Sequence, residues 1–149
     1  MKTIYLIIII FINSYVFSDE KIDSYYYIDS DELIITKNSL VSEFIGNAYA
    51  RDSANHFWGD KILIDYDNDK KIKLITIIGN VKIKLPDEVA TGDEAVYNPK
   101  SEKVRINGNI TVIKDSNILN GDELIVDLLT STSIIKGNID KQVSAKVIE

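Results

Sequence analysis

The chain has 149 residues, 45% hydrophobic, with 17 basic and 23 acidic side chains and a formal net charge of −6 at pH 7. That length suits one domain with a modest core. The acidic balance repels phosphate backbones and argues against a nucleic-acid partner, and the absence of cysteine excludes disulfides, a thiol nucleophile and thiolate metal ligation.

Taken from the N-terminus, Lys2 precedes an apolar stretch, Thr-Ile-Tyr-Leu-Ile-Ile-Ile-Ile-Phe-Ile over residues 3–12, and Val16-Phe17-Ser18 ends on a small residue before Asp19-Glu20. Basic start, apolar run and small-residue site predict a signal helix cleaved after Ser18. The run breaks at Asn13-Ser14 and falls short of the ~20 apolar residues that a spanning helix wants. The expected division is a signal peptide over 1–18 and one exported domain over 19–149, a setting that the Gram-negative periplasm fits. A retained anchor over 3–18 is the alternative.

Beyond residue 20 the pattern is that of strands. Leu33 and Ile35 share a face, and Lys37-Asn38-Ser39 turns the chain. In Phe44-Ile45-Gly46-Asn47-Ala48-Tyr49-Ala50 the residues two before and two after the glycine are apolar. This is period-2 alternation, with one buried and one wet face. The same alternation puts Ile62, Ile64 and Tyr66 on the inner face, then Ile77, Val81 and Ile83, and then Ala95 and Tyr97. Val104, Ile106, Ile110 and Val112 follow, and after them Leu124, Val126 and Leu128. A last copy, Ile135-Lys136-Gly137-Asn138-Ile139, reads the same way. Asp67-Asn68-Asp69, Asn98-Pro99-Lys100-Ser101, Lys114-Asp115-Ser116-Asn117 and Thr130-Ser131-Thr132 are turn clusters. The positions between the inner residues of some strands are also apolar (Ile34, Leu63, Val96, Ile125), which fits either a covered outer face or an apolar outer stripe.

These strands repeat. Gly-Asn stands at 46, 79, 108 and 137; Gly-Asp stands at 59, 92 and 121, with Ser30-Asp31 in the same place at the start. Each of the first three Gly-Asn pairs is followed by a Gly-Asp thirteen residues on, and the return step is sixteen residues, or twenty from 59 to 79. Such a period predicts stacked antiparallel hairpins. The longer step adds an even number of residues, so both arms of a taller hairpin, with its tip at 67–71, keep their facing. The glycine of each Gly-Asn falls in the inward set, where it permits a bulge or leaves room inside.

Catalytic chemistry finds little footing. His56 is the only histidine and falls in a link between strands beside Phe57 and Trp58, where packing on an aromatic ring is the expected role. Asp65-Tyr66-Asp67-Asn68-Asp69 begins like a calcium loop but has Lys70 and Thr76 where such a loop needs Gly and a bidentate Glu. No metal site and no cofactor is expected. Lys73, Lys82 and Lys84 could meet anionic head groups, although lysine on an exposed strand is ordinarily a solubility device. The inner lining, with the small residues Gly46, Ala48, Ala50 and Ala95, fits a packed core or an interior that opens for a lipid chain.

The succession resembles the OstA-like family of lipopolysaccharide-transport proteins, from about Ile28 to Gly137. The stretches that carry the resemblance are Ala90-Thr91-Gly92-Asp93-Glu94-Ala95-Val96-Tyr97-Asn98-Pro99-Lys100, Ile106-Asn107-Gly108-Asn109-Ile110-Thr111-Val112 and Leu119-Asn120-Gly121-Asp122-Glu123-Leu124-Ile125-Val126-Asp127-Leu128. The chain is short for that family and has Gly-Asp where Ala-Asp is commoner. The resemblance implies an all-β, twisted, open β-jellyroll that shelters lipid A acyl chains and is not an enzyme. It also implies head-to-tail self-association and partners of LptC-like and LptD-like kind at the inner and outer membranes. The residues expected to line the lipid are Phe44 and the inward aliphatic and aromatic positions from Ile62 to Val126 named above, apart from Tyr66. A membrane-anchored LptC-like component and a structural β filament without ligand are the competing readings. A polysaccharide-cleaving solenoid needs paired carboxylates on one face, whereas the acids here fall at turns.

Overall fold

The computed structural model describes residues 25–36 and 38–148; the expected signal segment, 1–18, lies outside the described residues. Ten strands follow in chain order: β1 (Tyr27–Asp29), β2 (Glu32–Ile35), β3 (Val41–Arg51), β4 (His56–Tyr66), β5 (Ile72–Lys84), β6 (Glu88–Asn98), β7 (Lys103–Lys114), β8 (Asn117–Asp127), β9 (Thr132–Lys136) and β10 (Ser144–Lys146). They form one antiparallel sheet in the order β1-β3-β4-β5-β6-β7-β8-β10, with β2 also on β3 and β9 also on β8. There is no helix among the described residues. The sheet does not close: β1 with β2 makes one edge, β9 with β10 the other. This is the stack of antiparallel hairpins that the repeat predicts and the open β-jellyroll that the resemblance implies.

The Gly-Asn pairs are the folding device. Gly46, Gly79 and Gly108 have φ of +79°, +75° and +77°, and the asparagines after them have φ of 44°, 47° and 47°. Two successive left-handed residues break the ladder, and the register shifts between Ile45 and Ala48, between Ile78 and Val81, and between Asn107 and Ile110. Of the two options left by the sequence, the glycine makes a bulge. Bulges bend a strand and raise its twist. Aligned on β3, β5 and β7, they crease the sheet so that its two halves face each other. Phe57, early on β4, stacks on Tyr97, late on β6, with ring centroids 5.5 Å apart.

Each bulge is held by the aspartate of the preceding unit. Asn47 Nδ2 donates to Asp31 at 2.8 Å, Asn80 Nδ2 to Asp60 at 2.9 Å and Asn109 Nδ2 to Asp93 at 2.8 Å. These pairs lie 16, 20 and 16 residues apart in sequence, so the return step of the repeat is the reach of this hydrogen bond. The glycine of Gly-Asp serves another end: a Cβ on Gly59, Gly92 or Gly121 would overlap the Cγ2 of Ile77, Ile106 or Ile135 on the next strand.

One expectation needs correction, at the C-terminal edge. The last Gly-Asn copy does not continue as a strand: β9 stops at Lys136, and Ile139 is fully exposed rather than inward. With no further strand to bulge against, the chain turns, the Asn138 backbone N–H donates to Asp122 Oδ2 at 3.1 Å, and β10 pairs back onto β8. Leu33 and Ile35 are 49% and 70% exposed on the edge strand β2. The taller hairpin is as expected, with its tip at 67–71 tied by Asp67 Oδ1, which accepts from the backbone N–H groups of Asp69 and Lys71, each at 2.9 Å. Across the outer face of this half the register runs Ile34, Glu43, Leu63, Thr76, Val96, Arg105, Ile125 and Ile134; polar residues separate the apolar ones in this row as far as Ile125, which meets Ile134 directly.

Candidate functional site

The inward positions read from the sequence meet in one interior. Ile62 and Ile64 on β4, Ile77, Val81 and Ile83 on β5, and Ala95 and Tyr97 on β6 are buried. So are Val104, Ile106, Ile110 and Val112 on β7, and Leu124 and Val126 on β8. Phe44, on β3 near the edge, is half-buried against them. Apart from Phe44 these side chains are 0–4% exposed, which makes most of the interior a packed core. Ala48, Ala50 and Ala95 leave no vacancy, because they are as completely buried as the isoleucines.

Space appears where the two halves of the sheet diverge. A cavity of about 710 Å³ lies between two rows of hairpin turns, within the ~300–1,000 Å³ typical of small-ligand sites. One row is the β3–β4 turn, Asp52 to Asn55, with the β5–β6 turn, Leu85 to Glu88; the other carries Tyr97, Pro99, Glu102, Val126 and Leu128. Of the lining positions expected from the sequence, only Tyr97 and Val126 border this space. Reading for alternation missed the turns that form its rim. Asp52-Ser53-Ala54-Asn55 and Pro86-Asp87 do carry turn chemistry, and that is the signal that could have found them.

The rim is well tied. Asp52 Oδ1 accepts from the backbone N–H groups of Ala54 and Asn55 at 2.8 and 2.7 Å, and the Asn55 amide returns to Asp52 Oδ2 at 3.0 Å. The Leu85 N–H donates to the Glu88 carbonyl at 2.9 Å. Glu88, 6% exposed, receives the Ser133 hydroxyl of β9 at 2.8 Å, with the Lys114 ammonium 3.9 Å away. That contact joins the two halves at one side of the cavity. Burial, with the hydrogen bond that the phenol makes to Tyr26 adding to it, pushes the Tyr97 phenol above its ordinary pKa, so this wall stays uncharged. Leu85, Tyr97, Val126 and Leu128 make the apolar surface, while Asp52, Asp87, Glu88 and Glu102 face the single base Lys114 around it.

The groups considered for catalysis lie elsewhere. His56 is the first residue of β4 rather than part of a link. Its Nδ1 is 2.7 Å from the Tyr49 hydroxyl, and its ring stacks on Trp58 at 5.7 Å, on the outer face. Among the described residues no three His, Cys, Asp or Glu side chains gather to hold a metal. An apolar space with a polar rim can shelter the hydrophobic end of an amphipathic molecule.

Residues 27–132 match the family described as LptA/(LptD N-terminal domain) LPS transport protein. Among solved structures, the chain is similar to LptH, the LptA-homologous periplasmic component of the lipopolysaccharide transport device of Pseudomonas aeruginosa, with a TM-score of 0.74 and 14% identity over 83% of this chain and 95% of that one. No curated protein matches. At that identity the likeness to LptH speaks for the fold; the family match, which spans most of the chain, speaks for its membership. The chain belongs to the LptA/(LptD N-terminal domain) family of lipopolysaccharide-transport proteins.

Proposed function

We propose that this protein is a periplasmic carrier, not an enzyme, that holds the acyl chains of lipid A between the two halves of its sheet on the way from the inner to the outer membrane. The observation that carries this reading is the cavity of about 710 Å³ with its wall of Leu85, Tyr97, Val126 and Leu128. The sealed residues deeper in, from Ile62 to Leu124, support that wall. Acyl chains gain from leaving water at roughly 25 cal/mol per Å² buried. The rim is acidic, so the phosphates of a lipid A head group stay beyond it in solvent and only the apolar part enters.

Photo-crosslinking in cells tests this. A photoreactive residue at Val126 or Leu128 is expected to yield an adduct that reacts with an antibody to lipopolysaccharide, and one at Arg105, exposed on the outer face, is not. Equal adducts from both faces would refute the groove.

The open edges suggest how carriers meet. Unpaired strands accept other strands, and a head-to-tail contact that does not close propagates. Here β2 exposes Leu33, Ile34 and Ile35, and β9 exposes Ile134. In this reading one edge of a copy pairs with the opposite edge of the next, and LptC-like and LptD-like partners cap the row. Ile35→Lys with Ile134→Lys is expected to hold the protein monomeric in sedimentation at concentrations where the parent associates, with its circular dichroism unchanged. Undiminished association of the double variant would locate the contact elsewhere. N-terminal sequencing of the exported protein separates this carrier from an LptC-like component: a start near Asp19 is expected, and an intact Met1 would favour the anchored form.

A further inference from the structure

The outward faces of the two sheet halves are built differently. On the half that leads to the β4–β5, β6–β7 and β8–β9 turns, bases stand against carboxylates: Lys61 against Glu43, Lys103 against Asp127 at 3.5 Å, Arg105 and Lys136 against Glu123 at 3.3 and 3.0 Å. On the other half the register sets Tyr27, Arg51, His56 and Lys84 in one cross-strand row and Asp29, Tyr49, Trp58 and Lys82 in the next. Here the bases meet rings. The Arg51 guanidinium lies 5.3 Å from the centre of the Tyr27 ring, and the Lys82 ammonium 5.3 Å from that of Trp58. Tyr49, His56 and Trp58 stack on one another at 5.2–6.0 Å. The first row runs on through Val89, Ile113, Ile118 and Lys146, with Ile113 48% exposed.

Among the described residues none of Arg51, Lys82 and Lys84 forms a salt bridge. The one carboxylate in these two rows, Asp29, engages the Tyr27 hydroxyl, which that contact pushes above its ordinary pKa, and Asp60 and Asp93 on the crease accept from Asn80 and Asn109. A chain of net charge −6 thus presents one outer face on which Arg51, Lys82 and Lys84 outnumber the carboxylate of Asp29 and whose other neighbours are tyrosine, tryptophan and isoleucine.

We propose that this face docks on an anionic phospholipid bilayer, whatever the groove carries. Tyrosine and tryptophan favour the level of the head groups, where one end of the ring is wet and the other apolar. Lysine and arginine beside them are drawn to anionic lipid at about 1 kcal/mol each. The acidic remainder of the molecule is repelled by the same membrane, so the charge distribution also orients the protein. The edge strand β1, which carries Tyr27, pairs with β3 on this half, whereas β2 pairs with β3 on the other.

Trp58 is the only tryptophan of the chain, so its emission reports this face alone. The exported protein, starting near Asp19, is mixed at low salt with phosphatidylglycerol vesicles or with phosphatidylcholine vesicles. The expected result is a blue shift with phosphatidylglycerol only, quenched by brominated acyl chains and reversed by salt. Lys82→Gln with Lys84→Gln is expected to weaken that partition about 30-fold, the loss of two such charges. Lys61→Gln with Lys103→Gln, the same change in net charge on the other half, should alter it by less than about twofold. No shift, an equal shift on phosphatidylcholine, or an equal loss from the two double variants would overturn the proposal; a shift on adding an acidic protein but not vesicles would do so in favour of a protein partner.

Discussion

Val112→Asp is expected to remove a large share of the stability of this protein. Val112 is 1% exposed on β7 and lies between Ala90 on β6 and Leu119 on β8, so neither cross-strand neighbour can pair a carboxylate. A charge placed there lacks partners in a desolvated layer, and the penalty is about 4 kcal/mol. Domains of this size are stable by about 5–15 kcal/mol, and the fall in melting temperature should be about 10–15 °C. The effect has a pH signature. Burial raises the pKa of the introduced carboxyl in the folded state above its unfolded value. The penalty is then full at pH above the raised folded pKa and shrinks as pH falls through it. Thermal melts at neutral and mildly acid pH read both quantities. Thr111→Asp, one residue away, is the control. Thr111 points outward and donates its hydroxyl to Asn120 Oδ1 at 3.0 Å, so losing that bond costs about 1 kcal/mol. Equal effects from the two would show that the facing of β7 is wrong.

How far the sequence could be read depended on what kind of signal each part carries. Alternation placed Ile62, Ile77, Ile106 and Leu124 inside because a half-buried strand has a period of two wherever it has neighbours on both sides. It failed at Ile139, where the chain leaves the sheet after Lys136, and at Leu33 and Ile35 it gave the shared face but not the exposure that an edge strand brings. The repeat of Gly-Asn and Gly-Asp was visible as spacing, but its meaning was not, because a hydrogen bond from Asn80 to Asp60 joins residues that a local pattern does not relate. The rim of the groove was hidden for another reason. Asp52 to Asn55 and Leu85 to Glu88 are turns, and their part in the site arises only when the crease brings two rows of turns toward each other. Whether the interior is packed or open was likewise undecidable from a list of apolar residues, since the same side chains fill the core at Ile64 and leave space beside Val126. The outer cluster of Tyr49, His56, Trp58 and Lys82 is assembled across β3, β4 and β5 by register, so residues distant in sequence gave no sign of sharing a face.

Gly108→Ala is expected to destabilise the fold by about 2–4 kcal/mol, through the crease rather than the core. Gly108 has φ of +77°, and a side chain in that region costs about 1–3 kcal/mol. A Cβ there would also overlap the Asp93 carboxylate. The displaced carboxylate would give up its 2.8 Å hydrogen bond from Asn109, worth about 1 kcal/mol at an exposed site. Denaturant titration of a double-mutant cycle separates the two causes. Asp93→Gly removes the obstructing group, so the double variant should lose at least about 1 kcal/mol less than the sum of the single losses. The residue of the penalty, left after the obstruction is gone, is the backbone strain. Strict additivity would mean that Asp93 does not confine the bulge, and then the fixed return step of the repeat, sixteen residues from Asp93 to Asn109, would lose its physical cause. If the coupling is present, the angle between the sheet halves is set by a dipeptide and an aspartate one unit back, and the groove between the turn rows inherits its width from them. Gly108→Ala should then also lower the yield of lipid adduct at Leu128, which lies at the mouth of that groove, in protein that remains folded.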